Sequence, residues 1–336
     1  MNYKKITISA IILLVIGLVL YFGPALIPTQ PNNNQSVIDS NVNFTNEPLK
    51  ITVLSTVNCK AFCDSTAVIS EIEKRIGSVV IETVDATDPR AAELVKNYTI
   101  NVLPVYVINA SSLERNLNSR SLKDLVKRIN SNYYILDTIE TKSGFIFGRV
   151  PTENKTIDVY TSPYTKEAVN FYTENYALLR NFSNDYKVSY QLVTIVNGQK
   201  LFPAEEGYYF SLNESRRDAC VQKLYPIWAN DYYACRNRYI EKCFENPQAN
   251  LGFCSANWKS CAQAYGTFNT TDIATCSETQ ADPILLDMHK KASNRLINAI
   301  PTLIVNDKYI LVGEYNQTYI KAQLCKLNAN VTACTN

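Results

Sequence analysis

The sequence predicts a mixed α/β protein made of two units that repeat one pattern. Three observations carry that expectation. The order strand, short loop, helix, strand begins at Lys50 and begins again at Ile157. Each round closes with a proline-led, β-rich run: Val102-Leu103-Pro104-Val105-Tyr106-Val107-Ile108 in the first, Ala299-Ile300-Pro301-Thr302-Leu303-Ile304-Val305-Asn306 in the second. Between the last two elements of the second round lies a largely helical insert, 211–298, that holds six of the ten cysteines. A chain of 336 residues with 46% apolar content has room for about two domains of roughly 100–200 residues each.

In the first unit, expected over 47–132, Lys50–Thr56 is a short β-rich run. Val57-Asn58-Cys59-Lys60-Ala61-Phe62-Cys63-Asp64 follows it. Ser65–Ile76 then carries Val68, Ile69, Ile72 and Ile76 at helical spacing. Ser78–Val84 reads as a strand, and Asp88–Tyr98 as a helix with Pro89 suited to its first turn. Ser121–Ile129 reads as a closing amphipathic helix, with Leu122, Leu125, Val126 and Ile129 on one side.

Residues 133–156 read as a connection with a β-like patch at Phe145–Val150. The second unit, 157–336, opens with the strand Ile157–Tyr160, the segment Thr161-Ser162-Pro163-Tyr164-Thr165-Lys166 and a helix over about Glu167–Asn181. Tyr186–Val196 is a strand. Lys308–Val312 pairs back on the strand after Pro301 through an Asn306-Asp307 turn, and Thr318–Leu327 is the last helix.

Cys59 and Cys63 lie where the first strand gives way to the first helix, and Pro104 leads a late strand. This order resembles the thioredoxin fold, which places its redox pair and its cis-proline there. Interruption by a helical insert ahead of a second proline-led strand resembles the DsbA-like family. The whole is similar to exported archaeal proteins with tandem thioredoxin-like and DsbA-like domains. The resemblance implies a nucleophile at Cys59, exposed at a helix N-terminus that stabilises its thiolate, and a resolving Cys63. It implies that Pro104 shapes the substrate groove. The spacing departs from the family, being CxxxC rather than CxxC. At i,i+4 on a regular helix the Cα separation is about 6 Å, near the upper end of the disulfide range. Lys60 adds positive charge beside Cys59 and Asp64 opposes it. An inert structural bond is the competing reading.

Where a DsbA-like protein has Cys-Pro-x-Cys, this chain has Ser162-Pro163-Tyr164-Thr165, with Pro301 at the second cis-proline position. A serine without a base is a poor nucleophile, so the second site is expected to be dead for thiol exchange. Ser162-Pro163 as a plain helix cap is compatible with that. The six insert cysteines allow 15 connectivities, which sequence does not resolve; if the flanking segments form an antiparallel helical pair, the arrangement is nested. Cys243 and Cys254 flank a loop, Cys235 meets Cys261, and Cys220 meets Cys276. Cys325 and Cys334 close the final helix on its tail. Tyr225, Trp228 and Tyr232 form an aromatic stripe expected in the core, on a helix starting near Pro226.

The single histidine, His289, excludes HExxH zinc sites and leaves little room for a Ser-His-Asp hydrolase. No metal site and no cofactor is expected. A net charge of +2 gives no footprint for nucleic acid, and the glycines form no phosphate-cradling motif.

Ile6–Phe22 carries no charge, follows Lys4 and Lys5, and resumes as Ala25-Leu26-Ile27. With residues 1–27 this approaches the ~20 residues of a membrane span, with the N-terminus cytoplasmic. A cleaved signal peptide is the alternative. Residues 28–46 read as a polar tether. Ten Asn-x-Ser/Thr sequons, at Asn34, Asn43, Asn97, Asn109, Asn154, Asn181, Asn213, Asn269, Asn316 and Asn330, agree with an exported, glycosylated chain. The expectation is therefore a membrane-anchored extracytoplasmic thiol–disulfide oxidoreductase. Its partners would be client polypeptides with thiols or disulfides and a membrane redox protein, the second domain binding rather than reacting. The alternative is a non-catalytic binding protein whose disulfides all serve stability.

Overall fold

The structure is a computed structural model. It describes residues 48–335 apart from 117, 123–124, 137–142, 149–154, 163–164, 194, 197–198, 201–204, 246–256, 265, 296 and 314–315, together with the side chains of 60–61, 195–196, 199–200, 205–211 and 241–245. The described residues belong to one compact unit, Thr45–Asn336.

The chain is a mixed α/β protein with two main sheets. The first contains β1 (Leu49–Ser55), β2 (Val79–Asp85), β4 (Val105–Asn109), β5 (Val126–Arg128) and β6 (Tyr133–Leu136), in the order β2-β1-β4-β6-β5. β1 runs parallel to β2 and antiparallel to β4, which is antiparallel to β6. The second contains β3 (Val102–Leu103), β7 (Ser143–Ile146), β8 (Thr156–Thr161), β9 (Lys187–Leu192), β12 (Thr302–Val305) and β13 (Tyr309–Val312), in the order β3-β7-β13-β12-β8-β9. Here β8 is parallel to β9, β12 is antiparallel to β8, and β13 is antiparallel to β12. Two parallel strands joined by a helix, followed by two antiparallel ones, thus appear twice. A short ribbon, β10 (Ile195–Val196) with β11 (Gln199–Lys200), stands apart.

Local sequence explains most elements. Helix α1 (Thr66–Ile76) buries Ile69, Ile72 and Ile76 against Leu49, Ile51 and Val53 of β1 and Tyr106 and Ile108 of β4. Each such side chain contributes about 1.5–3 kcal/mol on leaving water. Helix α2 (Pro89–Asn97) starts on Asp88, whose carboxylate accepts the Arg90 N–H at 2.8 Å, with Pro89 in the first turn. Asn306 and Asp307 both take positive φ in the turn from β12 to β13, the conformation Asn and Asp tolerate best after glycine.

Two elements differ from expectation. The run 102–108 is not one strand. Pro104 has no N–H to donate to a ladder, and there the chain leaves the second sheet (β3) and enters the first (β4). The helix expected over Ser121–Ile129 is instead a 3-10 turn, Ser119–Leu122, and the strand β5, whose Val126 pairs with Leu136. Its apolar spacing is helical, yet pairing of Val126–Arg128 with β6 wins over that local pattern. The connection 133–156 therefore supplies β6 to one sheet and β7 to the other.

A short helix, α3 (Ala110–Arg115), follows β4, and α4 (Lys166–Phe182) joins β8 to β9. The insert is helical: α5 (Glu205–Leu224), α6 (Ala229–Glu245) and α7 (257–264), followed by α8 (Thr270–Thr279) and α9 (Ala281–Asn294). Helices α10 (Gln317–Leu327) and α11 (Thr332–Thr335) end the chain. Pro226 lies in the turn between α5 and α6 rather than in a helix, so Tyr225 and Trp228 share no stripe with Tyr232; Trp228 is 40% exposed while Tyr232 is buried. Cys220 bridges Cys276, Cys235 bridges Cys261 and Cys325 bridges Cys334, each with Cα atoms 5.6–5.9 Å apart. The Cys243–Cys254 pairing lies outside the described residues. Among the described residues no helix is long and apolar enough to cross a membrane; the expected anchor, 6–27, lies outside them.

Candidate active site

Cys59 and Cys63 lie in a 3-10 helix, Val57–Cys63, between β1 and α1. They are bonded to each other, with Cα atoms 5.5 Å apart. The tight turn, closed by the Cys59 N–H donating to the Thr56 carbonyl at 3.0 Å, brings an i,i+4 pair inside disulfide range without using α-helical geometry. Helix α1 begins only at Thr66. Cys59 is therefore not at an α-helix N-terminus, and the expected dipole stabilisation of its thiolate is missing.

Cys59 is also not exposed. It and Phe62 are both 0% exposed, whereas Cys63 is half-buried. The cover comes from the second sheet. Ser143 of β7 donates its hydroxyl to the Phe62 carbonyl at 3.2 Å. Tyr309 of β13 donates to the Asn58 carbonyl at 3.3 Å, and its ring centroid lies 5.0 Å from that of Phe62 and 5.6 Å from that of Phe145. Helix α10 packs on the same turn. Asp64 accepts the Thr66 N–H at 3.1 Å. Hydrogen bonds from the Thr66 hydroxyl and N–H hold its carboxyl below the usual range, which keeps a negative charge beside Cys63 and opposes a thiolate there. The Lys60 side chain lies outside the described residues.

Pro104 is cis and buried, and the preceding residue, Leu103, shares a core cluster with Cys59, Phe62 and Phe145. β7 and β13 thus roof the Cys59–Cys63 turn, and Leu103, next to Pro104, belongs to the same apolar core.

The second site is of another kind. Pro301 is cis at the start of β12. Ser162 is fully buried, and its hydroxyl has no hydrogen-bond partner. It faces a cavity of about 20 Å³ lined by Tyr172, Tyr190, Tyr233 and Asn237, room for about one water. Pro163 and Tyr164 lie outside the described residues. The helix cap is Thr165, not Ser162: its hydroxyl accepts the Ala168 N–H at 3.2 Å. His289 sits half-buried on α9, does not line the Ser162 cavity, and is pushed below its usual pKa by burial. Among the described residues lining this cavity there is no histidine, lysine or carboxylate to act as a base for the Ser162 hydroxyl.

Two features escape sequence reasoning. A cleft of about 840 Å³ opens beside edge strand β9, lined by Arg180, Lys187, Gln222, Trp228 and Asn230 among others. Between α5 and α6, Glu214 is ion-paired with Arg236 and Arg217, and Glu214 and Arg236 are essentially inaccessible. Burial pushes the neighbouring Asp218 up to about 7. Charged residues on helices ordinarily read as solvated, and only the packing of α5 on α6 reveals otherwise. Among the described residues no group of His, Cys, Asp and Glu is placed to hold a metal ion.

No family model matches the chain, and no curated protein matches it. Several solved structures align with about half of it. DsbL of Salmonella enterica serovar Typhimurium is 10% identical, covering 55% of this chain and 94% of its own, with a TM-score of 0.38. A DsbA disulfide interchange protein from Klebsiella pneumoniae is 11% identical over 57% of this chain and 89% of its own, with a TM-score of 0.35. A candidate protein disulfide isomerase from Nitrosomonas europaea is 13% identical over 53% of this chain and 100% of its own, with a TM-score of 0.40.

Proposed function

We propose that the chain is a thiol–disulfide oxidoreductase built from two thioredoxin-type sheets, with Cys59 and Cys63 as the reacting pair. One observation carries this reading: two cysteines four apart, bonded to each other, in the turn between a first strand and its helix, with one of them reachable. In the covered state an incoming client thiolate attacks the Cys63 sulfur. The Cys59–Cys63 bond breaks, and Cys59 leaves as the thiolate. A second client thiolate then attacks the client sulfur of the mixed disulfide. That step leaves the client oxidised and the pair reduced. This reading exchanges the roles expected from sequence, in which Cys59 attacks and Cys63 resolves.

The second sheet, with Ser162 and Thr165 in place of cysteines, serves clients or partners without chemistry. Residues 6–27 anchor the chain, 28–46 tether it, and the folded part works outside the cytoplasm against polypeptide clients and a membrane redox partner.

The burial of Cys59 favours a second reading, in which this bond is structural and the chain only binds. A redox titration separates the two. The first requires a Cys59–Cys63 potential above about −250 mV, and the second a value below about −300 mV, where structural disulfides lie.

A further inference from the structure

We infer that β7 and β13 form a clamp that gates Cys59, so that the reactivity of this sulfur is set by whether the second sheet stays docked on the first. The inference rests on reading Cys59–Cys63 as the reacting pair and adds its regulation. β3 and β7 pair as short antiparallel strands, Val102 opposite Ile146 and Leu103 opposite Phe145, and the Phe147 N–H donates to the Asn101 carbonyl at 2.7 Å. This puts Ser143 over the Phe62 carbonyl and Tyr309 over the Phe62 ring. The roof is held by these polar contacts, by the Phe62–Tyr309–Phe145 rings and by an apolar core that Phe62, Leu103, Phe145 and Leu311 share, and none of the other described disulfides ties it to the turn. β7 pairs with β3 over two residues and with β13 over three, and openings of single elements cost less than global unfolding. Opening exposes Cys59 and frees the edge of β3 beside it, and closing hides both.

Gly144 gives a handle on the clamp. A Cβ there would meet the Leu103 carbonyl oxygen at 2.8 Å and Val102 Cγ1 at 2.9 Å. Backbone on one side and a β-branched side chain on the other leave it no room. Gly144→Ala must therefore lift β7 from β3. The test uses the full chain carrying Cys63→Ser, in which Cys59 is the one thiol released, and measures its alkylation by iodoacetamide with peptide mapping. Alkylation is expected to be at least about tenfold slower than in the urea-unfolded chain, and Gly144→Ala is expected to restore most of that rate. Tyr309→Ala, which removes the ring above Phe62, should act in the same direction and covers the case in which the Gly144 variant does not fold. Cys59 alkylating as fast in the folded chain as in the unfolded one overturns the clamp, and so does a slow rate that neither variant raises. Neither result depends on the redox potential, so the clamp and the oxidoreductase reading fail separately.

An independent observation assigns a modification. All seven sequon asparagines among the described residues are exposed: Asn97, Asn109, Asn181, Asn213, Asn269, Asn316 and Asn330. Only five of the sixteen other asparagines whose burial is described are exposed, and Asn116, Asn175, Asn237 and Asn257 are buried. We propose that these sequons carry N-linked glycans, which requires an exported chain. Chemistry permits it even where the asparagine caps a helix. Asn109, Asn269 and Asn316 each accept a backbone N–H through Oδ1, from Ser112, Thr271 and Tyr319 at 2.9–3.1 Å. Transfer uses Nδ2 instead. The Nδ2–C1 bond forms, the C1–O bond of a lipid-phosphate-linked oligosaccharide breaks, the lipid phosphate leaves, and the amide gives up one proton. Oδ1 keeps its lone pairs, so the cap survives. The test is glycosidase release in heavy-oxygen water and peptide mapping of the full chain exported by a glycosylating host, with one added surface sequon as control. Mass labels at most of the seven are expected. An occupied control with the seven empty overturns the proposal.

Discussion

Cys59→Ser and Cys63→Ser are each expected to abolish protein-catalysed thiol–disulfide exchange, lowering it at least about a thousandfold, while the fold survives. The other described bridges, Cys220–Cys276, Cys235–Cys261 and Cys325–Cys334, remain intact in both variants. The two differ in what accumulates. Cys59→Ser leaves a half-exposed thiol at Cys63 with nothing to resolve a bond once formed, so mixed disulfides with client build up. Cys63→Ser leaves a thiol with 0% exposure, which clients reach only when the roof lifts, so little adduct forms. Non-reducing electrophoresis with an unfolded, disulfide-bonded client reads both: the remaining protein thiolate attacks a client disulfide, that bond breaks, and the other client sulfur leaves as the thiolate. Adduct on Cys63→Ser and none on Cys59→Ser would return the nucleophile to Cys59 and count against the roof as the controlling feature. Full activity in either variant would end the oxidoreductase reading.

Much of the fold was legible because its signals are local. Ile69, Ile72 and Ile76 announce α1 by spacing alone, and Pro89 and Asp88 mark the start of α2. The nesting of Cys220–Cys276 around Cys235–Cys261 is what an antiparallel helical pair imposes on cysteines so placed. The misses share one cause: each is decided by a partner distant in sequence. The run around Pro104 divides between two sheets because β7, some forty residues on, takes Val102 and Leu103. Val126 becomes a strand because Leu136 waits across from it. Cys59 is buried because Tyr309, 251 residues from Asn58, lies over its turn. Motif spacing places Cys59 and Cys63 in the chain but says nothing of what covers them. For the same reason the sequence offers an exposed nucleophile where the structure offers a hidden one.

Arg236→Met is expected to destabilise the fold by about 3–5 kcal/mol, the scale for removing one partner of a buried ion pair. Arg236 is 1% exposed and its pair with Glu214 is inaccessible on both sides. The helices supplying them, α5 and α6, are already fixed by Tyr233 donating to the Asp218 carbonyl at 2.8 Å, so the cavity is not free to admit water in place of the guanidinium. The loss also depends on pH. Burial raises the Asp218 carboxyl from 3.8 to about 7, with Arg236 the first charge acting against that rise. A carboxyl so raised binds its proton more tightly in the fold than in the unfolded chain. Its penalty is therefore absent below about pH 4, grows as pH rises, and is complete above about pH 7. Without Arg236 the carboxyl rises further, so the deficit of the variant is larger at pH 8 than at pH 5. Urea unfolding at both values measures this. Arg236→Met combined with Asp218→Asn should recover part of the loss and flatten its pH dependence, because Glu214 keeps Arg217 as its partner and the second buried carboxyl no longer ionises. Equal deficits at pH 5 and pH 8 would mean that lost packing, rather than an uncompensated charge, accounts for the effect.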